Sequence, residues 1–417
     1  MSHYQPYPNY KNSRIDWLGK VPEAWQVTRL KYVSELNPKK SSLKIEREEL
    51  CTFLPMEKLK TDSVVLDETR VIEEVYEGYS YFGNGDILIA KVTPCFENKN
   101  IAIADDLVNG VGFGSTEINT IRSNEKSHNR FLYYRLQEEQ FRKIAINAMT
   151  GTGGLKRVPS EIFQTFKIAI PSYDDQKRIA EQIDKETTRI DTLITKKTRF
   201  IELLKEKRQA FITHAVTKGL DLHVKMKDSG IEWIGEVPEH WKIAQFKRLI
   251  SIQNGSDHKS IEAETGFPVY GSGGVFAFAK DYLYDGESVL LGRKGTIDKP
   301  LYVNEKFWTV DTMYWSKIKP NAYGKFCYYV ATTIPFNRYS TNTALPSMTQ
   351  TDLGAHLVAF PDKSEQKAIS SFLDKEATRI DTLIEKTQRS IDLLKERRSA
   401  FITAAVTGKI DLREEKP

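Results

Sequence analysis

The chain has 417 residues, of which 40% are hydrophobic and 28% charged, with 24 Gly and 16 Pro. This length predicts about two to four domains, and the composition excludes collagen, low-complexity and intrinsically disordered chains. No apolar run approaches the roughly 20 residues needed to cross a bilayer, and the first residues lack a signal-peptide pattern, so we expect a cytoplasmic protein. The 61 Lys and Arg exceed the 56 Asp and Glu by five, a net charge that permits a polyanionic partner without requiring one.

The first recognisable element is a tryptophan motif that the chain contains twice. Residues 13–31 (SRIDWLGKVPEAWQVTRLK) return as residues 229–247 (SGIEWIGEVPEHWKIAQFK), a shift of 216, with about half of the positions identical. Each copy has a Pro turn between two tryptophans, which are Trp17 and Trp25 in the first copy and Trp233 and Trp241 in the second. Two interpretations stay open: the aromatic side chains dock the start of each domain, or they form a surface for a partner protein.

Each tryptophan motif begins a variable segment, about 13–172 in the first copy and 229–362 in the second. The sequence of both segments predicts mixed α/β domains. Short apolar runs bounded by Gly, Asn or Asp, at 85–90, 101–104 and 288–291, are typical of strands. Residues 129–148 and 322–334 carry aromatic and aliphatic side chains at helical spacing. We therefore expect at least one helix late in each segment.

The stronger repeat is a long amphipathic segment at the end of each copy. Residues 176–222 align with residues 366–412, a shift of 190, and 30 of these 47 positions are identical. The difference between the shifts, 216 − 190 = 26, makes the first variable segment about 26 residues longer than the second. Apolar residues recur every three, four or seven positions without an interrupting Pro or Gly, which predicts helices of about 40 residues or about 60 Å.

A helix of that length requires a partner of similar length. The two copies can supply each other with one, so we expect them to pack antiparallel as a coiled coil. The alternative is that each helix lies on its own domain. The predicted organisation of the chain is a globular segment 1–172, a helix 173–222, a globular segment 223–362, and a helix with a C-terminal tail, 363–417.

Motifs for catalysis and metal binding are missing from the sequence. The seven histidines and the cysteines Cys51, Cys95 and Cys327 have no ligand spacing, and neither a GxSxG elbow, a P-loop nor an Asn-Pro-Pro-aromatic tetrad is present. PDKSEQK at 361–367 resembles the PD-(D/E)xK nuclease signature, in which the last two residues belong to a separate strand. Here Asp362, Ser364 and Glu365 are close enough together to favour capping of a helix start instead.

Binding chemistry is better represented than catalysis. Loops with cations, hydroxyls and glycines occur at matching places ahead of both long helices, and these groups suit contacts to phosphates or base edges. Any one such loop is typical of a solvated turn, but the match between copies favours a shared role. The basic residues in the second half of each helix predict an outward charged face, with phosphate contact as the alternative.

Together, these features resemble a known family. The double unit, the W-(L/I)-G-x-V-P-E-x-W motif, the TRIDTLI…LLKE…AFIT helix and the GRKGT loop at 292–296 are similar to those of the specificity subunit of type I DNA restriction-modification systems. The resemblance covers nearly the whole chain, and its specific motifs lie in the helices and the tryptophan motifs.

The resemblance implies an α/β (α+β) fold: two target recognition domains, separated by two long antiparallel coiled-coil helices, in a pseudo-two-fold internal repeat. Each domain would read one half of a split site in double-stranded DNA, and the helices would set the spacer between the halves. Two modification (methyltransferase) subunits would dock on the helices and tryptophan motifs and methylate adenine, and restriction subunits would translocate and cleave DNA. This chain would hold no catalytic residue, metal or cofactor, because S-adenosylmethionine, ATP and magnesium would bind to those partners.

By matching positions, the resemblance also implies particular contacts. Those to DNA would be made by Lys91, Thr93, Ser115, Thr116, Thr152, Lys156 and Arg157 in the first domain and by Ser272, Arg293, Lys294, Thr296, Asn342, Thr343 and Ser347 in the second. Those to partner subunits would be made by Trp17, Trp25, Trp233 and Trp241. Two competing hypotheses are a coiled-coil scaffold whose domains bind protein, and a nuclease that uses Asp362, Glu365 and Lys367.

Overall fold

The computed structural model describes residues 4–152, 154–339 and 346–413. Its contacts divide the chain into two compact units, unit 1 (residues 1–196 and 390–417) and unit 2 (residues 197–389). Each unit therefore combines one globular segment with parts of both long helices, whereas the predicted boundaries at 173 and 363 are the points where those helices begin. Within the described residues, no helix is long and apolar enough to span a membrane.

Unit 1 mixes short strands with short helices. Its strands are β1 (Tyr10–Asn12), β2 (Lys20–Pro22), β3 (Gln26–Arg29), β4 (Ser34–Leu36), β5 (Leu50–Leu54), β6 (Leu59–Lys60), β7 (Ser63–Val64), β8 (Glu68–Val71), β9 (Ser80–Gly83), β10 (Ile87–Ala90), β11 (Ile101–Ile103), β12 (Val111–Gly114), β13 (Ile118–Ser123), β14 (Thr150–Thr152), β15 (Leu155–Arg157) and β16 (Lys167–Ile170). Its short helices are α1 (Ile72–Tyr76), α2 (Asn129–Gln137), α3 (Glu139–Asn147) and α4 (Ser160–Thr165).

The two largest sheets among the described residues of unit 1 have four strands each. The first has the order β11-β10-β13-β4 and is antiparallel throughout. The second has the order β8-β5-β12-β9 and contains one parallel pair, β5 and β12. All four residues of β10 are buried, which explains why its sequence, ILIA, is apolar without alternation.

Unit 2 has one large sheet. Its strands are β17 (Met226–Asp228), β18 (Glu236–Pro238), β19 (Lys242–Gln245), β20 (Ile250–Asn254), β21 (Glu262–Ala263), β22 (Phe267–Gly271), β23 (Gly274–Ala279), β24 (Tyr284–Gly292), β25 (Leu301–Thr309), β26 (Met313–Ile318) and β27 (Leu357–Phe360). Seven of them form a sheet of the order β20-β26-β24-β25-β22-β23-β21. The short helices are α6 (Gly324–Ala331) and α7 (Gln350–Ala355).

The two units share a frame and differ in what is added to it. The order β11-β10-β13-β4 in unit 1 has its counterpart in β25-β24-β26-β20 of unit 2. The pairs β3–β16 and β19–β27 also correspond, since both join the end of a tryptophan motif to the strand before a long helix. Beyond this frame, unit 1 builds a separate sheet, whereas unit 2 extends the same sheet by β22, β23 and β21. The prediction of two mixed helix-and-sheet domains is confirmed.

The two predicted long helices are present, as α5 (Tyr173–Lys218) and α8 (Lys363–Val406). Each is followed closely by a glycine with positive φ, Gly219 at +75° and Gly408 at +70°, a conformation that ends helices and that glycine adopts without strain. At the start of α8, the Asp362 carboxylate accepts the Glu365 N–H at 2.9 Å. The capping interpretation of the PDKSEQK segment is confirmed for Asp362.

The predicted apolar stripe is buried for most of its length. Its buried members are Ile179, Ile183, Ile190, Ile201, Leu204 and Ala215 on α5 and Ile369, Leu373, Ile380, Ile391, Phe401 and Ala405 on α8. The spacing in the sequence also predicts Leu193 and Leu383 as members of the stripe. For these two the prediction is wrong, because they are 37% and 39% exposed. Three residues beyond Ile190 a side chain lies about 60° around the helix, so Leu193 falls at the margin of the contact face.

Within each unit the two long helices run antiparallel. In unit 1, Arg398 pairs with Asp191 at 3.1 Å, while the earlier α5 residues Ile179 and Ile183 share a core with the later α8 residues 401–406. In unit 2, Arg208 pairs with Asp381 at 3.0 Å, and the later α5 residues 212–216 share a core with earlier α8 residues. The two ion pairs are equivalent in the internal repeat. Asp191 corresponds to Asp381 and Arg208 corresponds to Arg398, because the members of each set are 190 residues apart.

A buried glutamine at the start of each long helix ties the globular segment to it. The Gln176 side chain accepts the His128 N–H at 2.9 Å and donates to the carbonyls of Lys126 and Pro171. Gln366 makes the same three bonds in unit 2, with the Tyr323 N–H and the carbonyls of Asn321 and Pro361. Both side chains are fully buried, so these bonds have no competition from water.

An aspartate two turns further along each helix makes a second tie. In unit 1, Asp184 binds Arg130 at 2.8 Å and the hydroxyl of Tyr134. In unit 2, Asp374 binds Lys325 and, at 2.8 Å, the hydroxyl of Tyr329. Helices α2 and α6 are therefore held against the long helices by the same pair of interactions, a cation and a tyrosine on one carboxylate.

Candidate nucleic-acid interface

The DNA-binding residues predicted for unit 1 lie on three segments that the fold brings together. The chain leaves strand β10 at Lys91, and two residues later the Thr93 N–H donates to the Lys156 carbonyl at 2.9 Å. The Thr93 hydroxyl accepts the Lys156 N–H and donates to the Gly154 carbonyl. Thr93 thus attaches hairpin β14–β15, whose described residues are all exposed, to the end of the buried sheet. Thr152 lies on this hairpin.

The third segment is the turn between β12 and β13. It contains Ser115, which is half-buried, and Thr116, which is exposed. The next residue, Glu117, joins all three segments, because its carbonyl accepts the Lys91 N–H at 2.9 Å and its carboxylate binds Arg157. That carboxylate receives the Arg157 Nε–H at 2.9 Å and an Nη2–H at 2.6 Å.

In unit 2, most of the predicted residues lie on an equivalent pair of loops. Strand β24 ends at Gly292, and the GRKGT loop that follows is joined to the segment before α7 by an isolated bridge between Lys294 and Ser347. Arg293 is half-buried, with Nη1 donating to the Asp311 carbonyl at 3.2 Å. A Cβ at Gly292 would lie 2.4 Å from the Thr296 carbonyl oxygen, so this tight loop requires glycine there.

Three backbone hydrogen bonds correspond between the units. In unit 1, the N–H groups of Lys91, Thr93 and Val158 donate to the carbonyls of Glu117, Lys156 and Lys91 respectively. In unit 2, the N–H groups of Arg293, Gly295 and Met348 donate to the carbonyls of Thr312, Pro346 and Arg293 respectively. These bonds make Lys91 of unit 1 equivalent to Arg293 of unit 2. In the same way, Glu117 is equivalent to Thr312, and Arg157 to Ser347.

Three predicted residues of unit 2 need separate description. Ser272 lies in the turn of hairpin β22–β23, where the preceding carbonyl of Tyr270 accepts the Val310 N–H at 3.2 Å. Residues 310–312 also contact the GRKGT loop, because the Asp311 carbonyl accepts a hydrogen bond from Arg293. Asn342 and Thr343 lie outside the described residues.

Sequence reasoning missed Glu117, the acidic member of the unit 1 cluster. A search for cations and hydroxyls passes over a carboxylate, although Glu117 directly follows the Ser115-Thr116 pair that was selected. Its hydrogen bonds from Arg157 hold the pKa of Glu117 below its usual value, so the pair is ionic at neutral pH. The other charged residues predicted in the cluster, Lys91 and Lys156, are cations.

The four motif tryptophans divide into two pairs. Trp25 and Trp241 are each 1% exposed, so a partner protein has no access to them, and their predicted role in partner binding is wrong. They belong to the unit cores, where Trp25 contacts Tyr7 and Phe131 edge-on. This burial agrees with the structural interpretation of the motif.

The other two tryptophans remain partly accessible. Trp17 stacks on Phe166, with ring centroids 4.9 Å apart. Trp233 stacks on His356 at 5.9 Å and is 45% exposed. Each ring therefore has one face packed against its own unit, and Trp233 offers considerable surface to a further contact.

Glu365, one of the residues of the nuclease hypothesis, has structural partners. Its carboxylate lies 2.8 Å from His240 Nε2 and accepts the Trp241 indole N–H at 3.1 Å. It therefore connects the start of α8 to the second tryptophan motif. Among the described residues, no group of three or more His, Cys, Asp or Glu side chains is arranged to hold a metal ion.

Comparison with known proteins agrees with the division of the chain into two repeated copies. The family profile described as the type I restriction modification DNA specificity domain matches residues 22–203 and 238–393. These two stretches fall on the two copies of the internal repeat and cover most of the chain. The protein belongs to the family of type I restriction-modification DNA specificity proteins.

The similar proteins include specificity subunits of type I restriction enzymes. The EcoAI specificity subunit of Escherichia coli is 38% identical over 163 residues, which make up 38% of this chain and 27% of that subunit. The putative MjaX specificity subunit of Methanocaldococcus jannaschii is 23% identical over 97% of both chains. This chain thus spans about a quarter of the first relative's length and nearly all of the second's.

Solved structures share the fold. A chain from work on complex assembly and conformational transition of the type I R-M system superposes with a TM-score of 0.75, at 16% identity, over 94% of this chain and 99% of that one. The HsdS subunit of Thermoanaerobacter tengcongensis gives a TM-score of 0.56 at 17% identity, over 94% and 98%. The predicted fold class is confirmed.

Proposed function

We propose that this protein is the non-catalytic specificity subunit of a type I restriction-modification complex that reads a bipartite site in double-stranded DNA. The observation that carries the proposal is the pair of equivalent loop clusters, one per unit, held by the same three backbone hydrogen bonds. Because these three bonds use only backbone groups, they persist where the side chains differ, as between Lys91 and Arg293 or Arg157 and Ser347. Two equivalent platforms with different side chains suit the reading of two different half-sites.

The side chains on these two loop clusters, the platforms, suit contacts with DNA. Hairpin β14–β15 is exposed along its described length and is attached to the sheet at its base, and a two-stranded ribbon of this kind fits the major groove. Lys91, Lys156, Lys294 and Arg293 supply cations for phosphates and base edges. The net charge of +5 is modest, so we attribute part of the DNA affinity of the assembled complex to its other subunits.

The proposed partners are two modification subunits per chain, together with restriction subunits, in the cytoplasm. Exposed leucines at repeated positions of the long helices support the docking of two modification subunits, one on each copy of the repeat. Leu203 and Leu393 are 47% and 57% exposed and lie 190 residues apart. A leucine that is exposed at the same place in both copies fits two equivalent docking surfaces, and contiguous exposed apolar patches mark such interfaces. S-adenosylmethionine, ATP and magnesium would bind in these partners, which would carry out adenine methylation and DNA cleavage.

The direct test is to map N6-methyladenine across the host genome by single-molecule sequencing, with and without the gene. We expect deletion to remove methylation from one split motif, which also reads out both half-sites. Complementation with the intact gene should restore the motif. An unchanged methylome, together with a purified complex that binds the bipartite duplex and a scrambled duplex equally, would contradict the proposal and favour a scaffold.

The role of the helices in setting the spacer has its own test. Inserting four residues, about one helical turn, at facing positions of both α5 and α8 should lengthen the spacer in the methylated motif and leave both half-sites unchanged. The matched control inserts four residues after Leu222, outside both helices, where the spacer should stay as in the wild type. A constant spacer in the helix variant would contradict the proposal that the helices set the spacer.

A further inference from the structure

The charged pair at the base of hairpin β14–β15 has the geometry of a base-reading device. We propose that Glu117 and Arg157 act together on a single G·C base pair of the first half-site, with Arg157 donating to guanine and Glu117 acting as its positioning residue. This inference rests on the proposed function and specifies its chemistry in unit 1.

The hydrogen bonds within the pair leave the correct edge of the guanidinium for DNA. Glu117 takes the Nε–H and one Nη2–H of Arg157, at 2.9 and 2.6 Å. A guanidinium has five N–H groups, so three remain, two on Nη1 and one on Nη2. Guanine offers two adjacent acceptors, N7 and O6, in the major groove, and the Nη1–Nη2 edge matches them with two parallel bonds.

The backbone around Arg157 is fixed before any DNA arrives. The neighbouring Val158 N–H donates to the Lys91 carbonyl at 2.8 Å, and the Lys156 carbonyl accepts the Thr93 N–H at 2.9 Å. The Arg157 side chain is nevertheless 45% exposed, because it lies on a hairpin outside the core. A long side chain held at both its backbone and its Nε has lost much of its rotamer entropy already, which favours selective binding.

A carboxylate at this place is difficult to explain by phosphate binding alone. Among cations such as Lys91 and Lys156 it repels the DNA backbone, and it therefore lowers affinity for any sequence. The carboxylate is explained if it positions an arginine against one base. It then lowers the affinity for DNA of any sequence but increases the discrimination between bases at that position.

Unit 2 lacks this device at the equivalent place. The shared hydrogen bonds put Thr312 where unit 1 has Glu117 and Ser347 where unit 1 has Arg157. These residues offer hydroxyls and no ion pair. The pair is therefore specific to the first half-site, and its removal should leave the second half-site unaffected.

The first experiment determines the methylated motif of strains that carry single variants in the complete system. Arg157→Ala and Arg157→Lys should each allow several bases at one G·C position of the first half-site. Alanine removes the guanidinium, and lysine keeps the positive charge but cannot donate two parallel hydrogen bonds to guanine. Glu117→Gln should relax the same position, with partial rescue by Glu117→Asp. The matched control is Arg70→Ala, which breaks another arginine–glutamate pair of unit 1, that of Arg70 with Glu68 at 2.7 Å on strand β8, and should keep the motif intact.

The second experiment measures binding by the purified complex to the bipartite duplex with 7-deazaguanine, which lacks the N7 acceptor, at that position. Wild type should lose about ten- to hundredfold in affinity, the range for one bidentate base contact, while Arg157→Ala should show no further loss. Glu117→Gln should bind a scrambled duplex more tightly than wild type does, because a repulsive charge is gone.

The outcomes separate the two levels of the argument. If the wild-type gene directs no split motif, the proposed function fails. If the wild-type motif is present but the Arg157 and Glu117 variants leave every base preference unchanged, or 7-deazaguanine weakens the wild type and Arg157→Ala equally at every guanine tested, the reading pair is overturned while the proposed function stands.

Discussion

Units 1 and 2 carry different side chains on the same backbone platform. Lys91 and Arg293 occupy equivalent places, as do Arg157 and Ser347, and in each case the corresponding backbone bonds are present in both units. The difference teaches how a repeated domain can diverge: the backbone hydrogen bonds that both units share do not depend on the side chains at these places, so those side chains can change while the bonds remain. The long helices show the opposite case, since their contacts are side-chain contacts and 30 of 47 positions are identical.

A second comparison concerns the residue that supports the exposed tryptophan. Phe166 in unit 1 and His356 in unit 2 are equivalent, because their carbonyls accept the N–H groups of Leu30 and Phe246, the residues that directly follow the corresponding strands β3 and β19. Both rings stack on the motif tryptophan. Only the histidine titrates, so the two units should respond differently to acid.

The largest expected effects come from the buried tryptophans, where the units should behave alike. Trp25→Ala and Trp241→Ala should each lower the free energy of unfolding of its unit by about 3–5 kcal/mol, because each leaves a large cavity in a core. Hydrogen exchange read separately in each unit measures this. The control Trp233→Ala removes a ring that is 45% exposed and should cost much less. Similar losses for Trp233 and Trp241 would contradict the assignment of roles within the motif.

Acid should distinguish the units. Burial lowers the pKa of His356 to about 4 from its ordinary value of 6.5. In the unfolded chain this histidine takes up its proton first, so unit 2 should lose stability as pH falls from about 6.5 to 4, by up to about 3 kcal/mol. His356→Phe, which copies unit 1, should remove this part of the pH dependence in urea unfolding. If the variant and wild type lose stability in parallel over that range, the neutral buried histidine is not the cause.

The buried glutamines provide a symmetrical test of intermediate size. Gln176→Ala or Gln366→Ala should each cost about 1–3 kcal/mol in the unit concerned, because buried backbone groups lose their partners. Chemical denaturation with Gln164→Ala as the exposed control measures the effect. Equal losses in the two units would sharpen the comparison, and a loss in one unit only would show that the repeated motif has diverged in role.

The smallest effect concerns phosphate contacts. Lys156→Ala and Lys294→Ala should each reduce the salt dependence of DNA binding by about one unit of slope and leave the methylated motif unchanged. Titration of the assembled complex at several salt concentrations measures this slope. A changed base preference in either variant would move that lysine from phosphate contact to base reading.

Much of the architecture was predictable because the chain contains its own comparison. The repeat located both long helices and their starts, since an uninterrupted apolar stripe has few other interpretations. The paired loops were also found, through Lys91, Thr93 and the GRKGT segment. Glu117 was missed because nothing in its local sequence distinguishes it from any other acidic residue in a turn, and its ion pair with Arg157 joins segments 40 residues apart.

The tryptophan motif shows the limit of sequence reasoning most clearly. Its repetition marked four aromatic residues as important, but Trp25 and Trp17 differ in environment, not in type, and only packing decided that one is 1% exposed while the other stacks at the surface. By itself, the sequence determined the repeat, the helices and the family, because these depend on local periodicity and identity. The tertiary structure decided which side chains meet and which remain exposed, because burial and ion pairing arise between residues that are far apart in the chain.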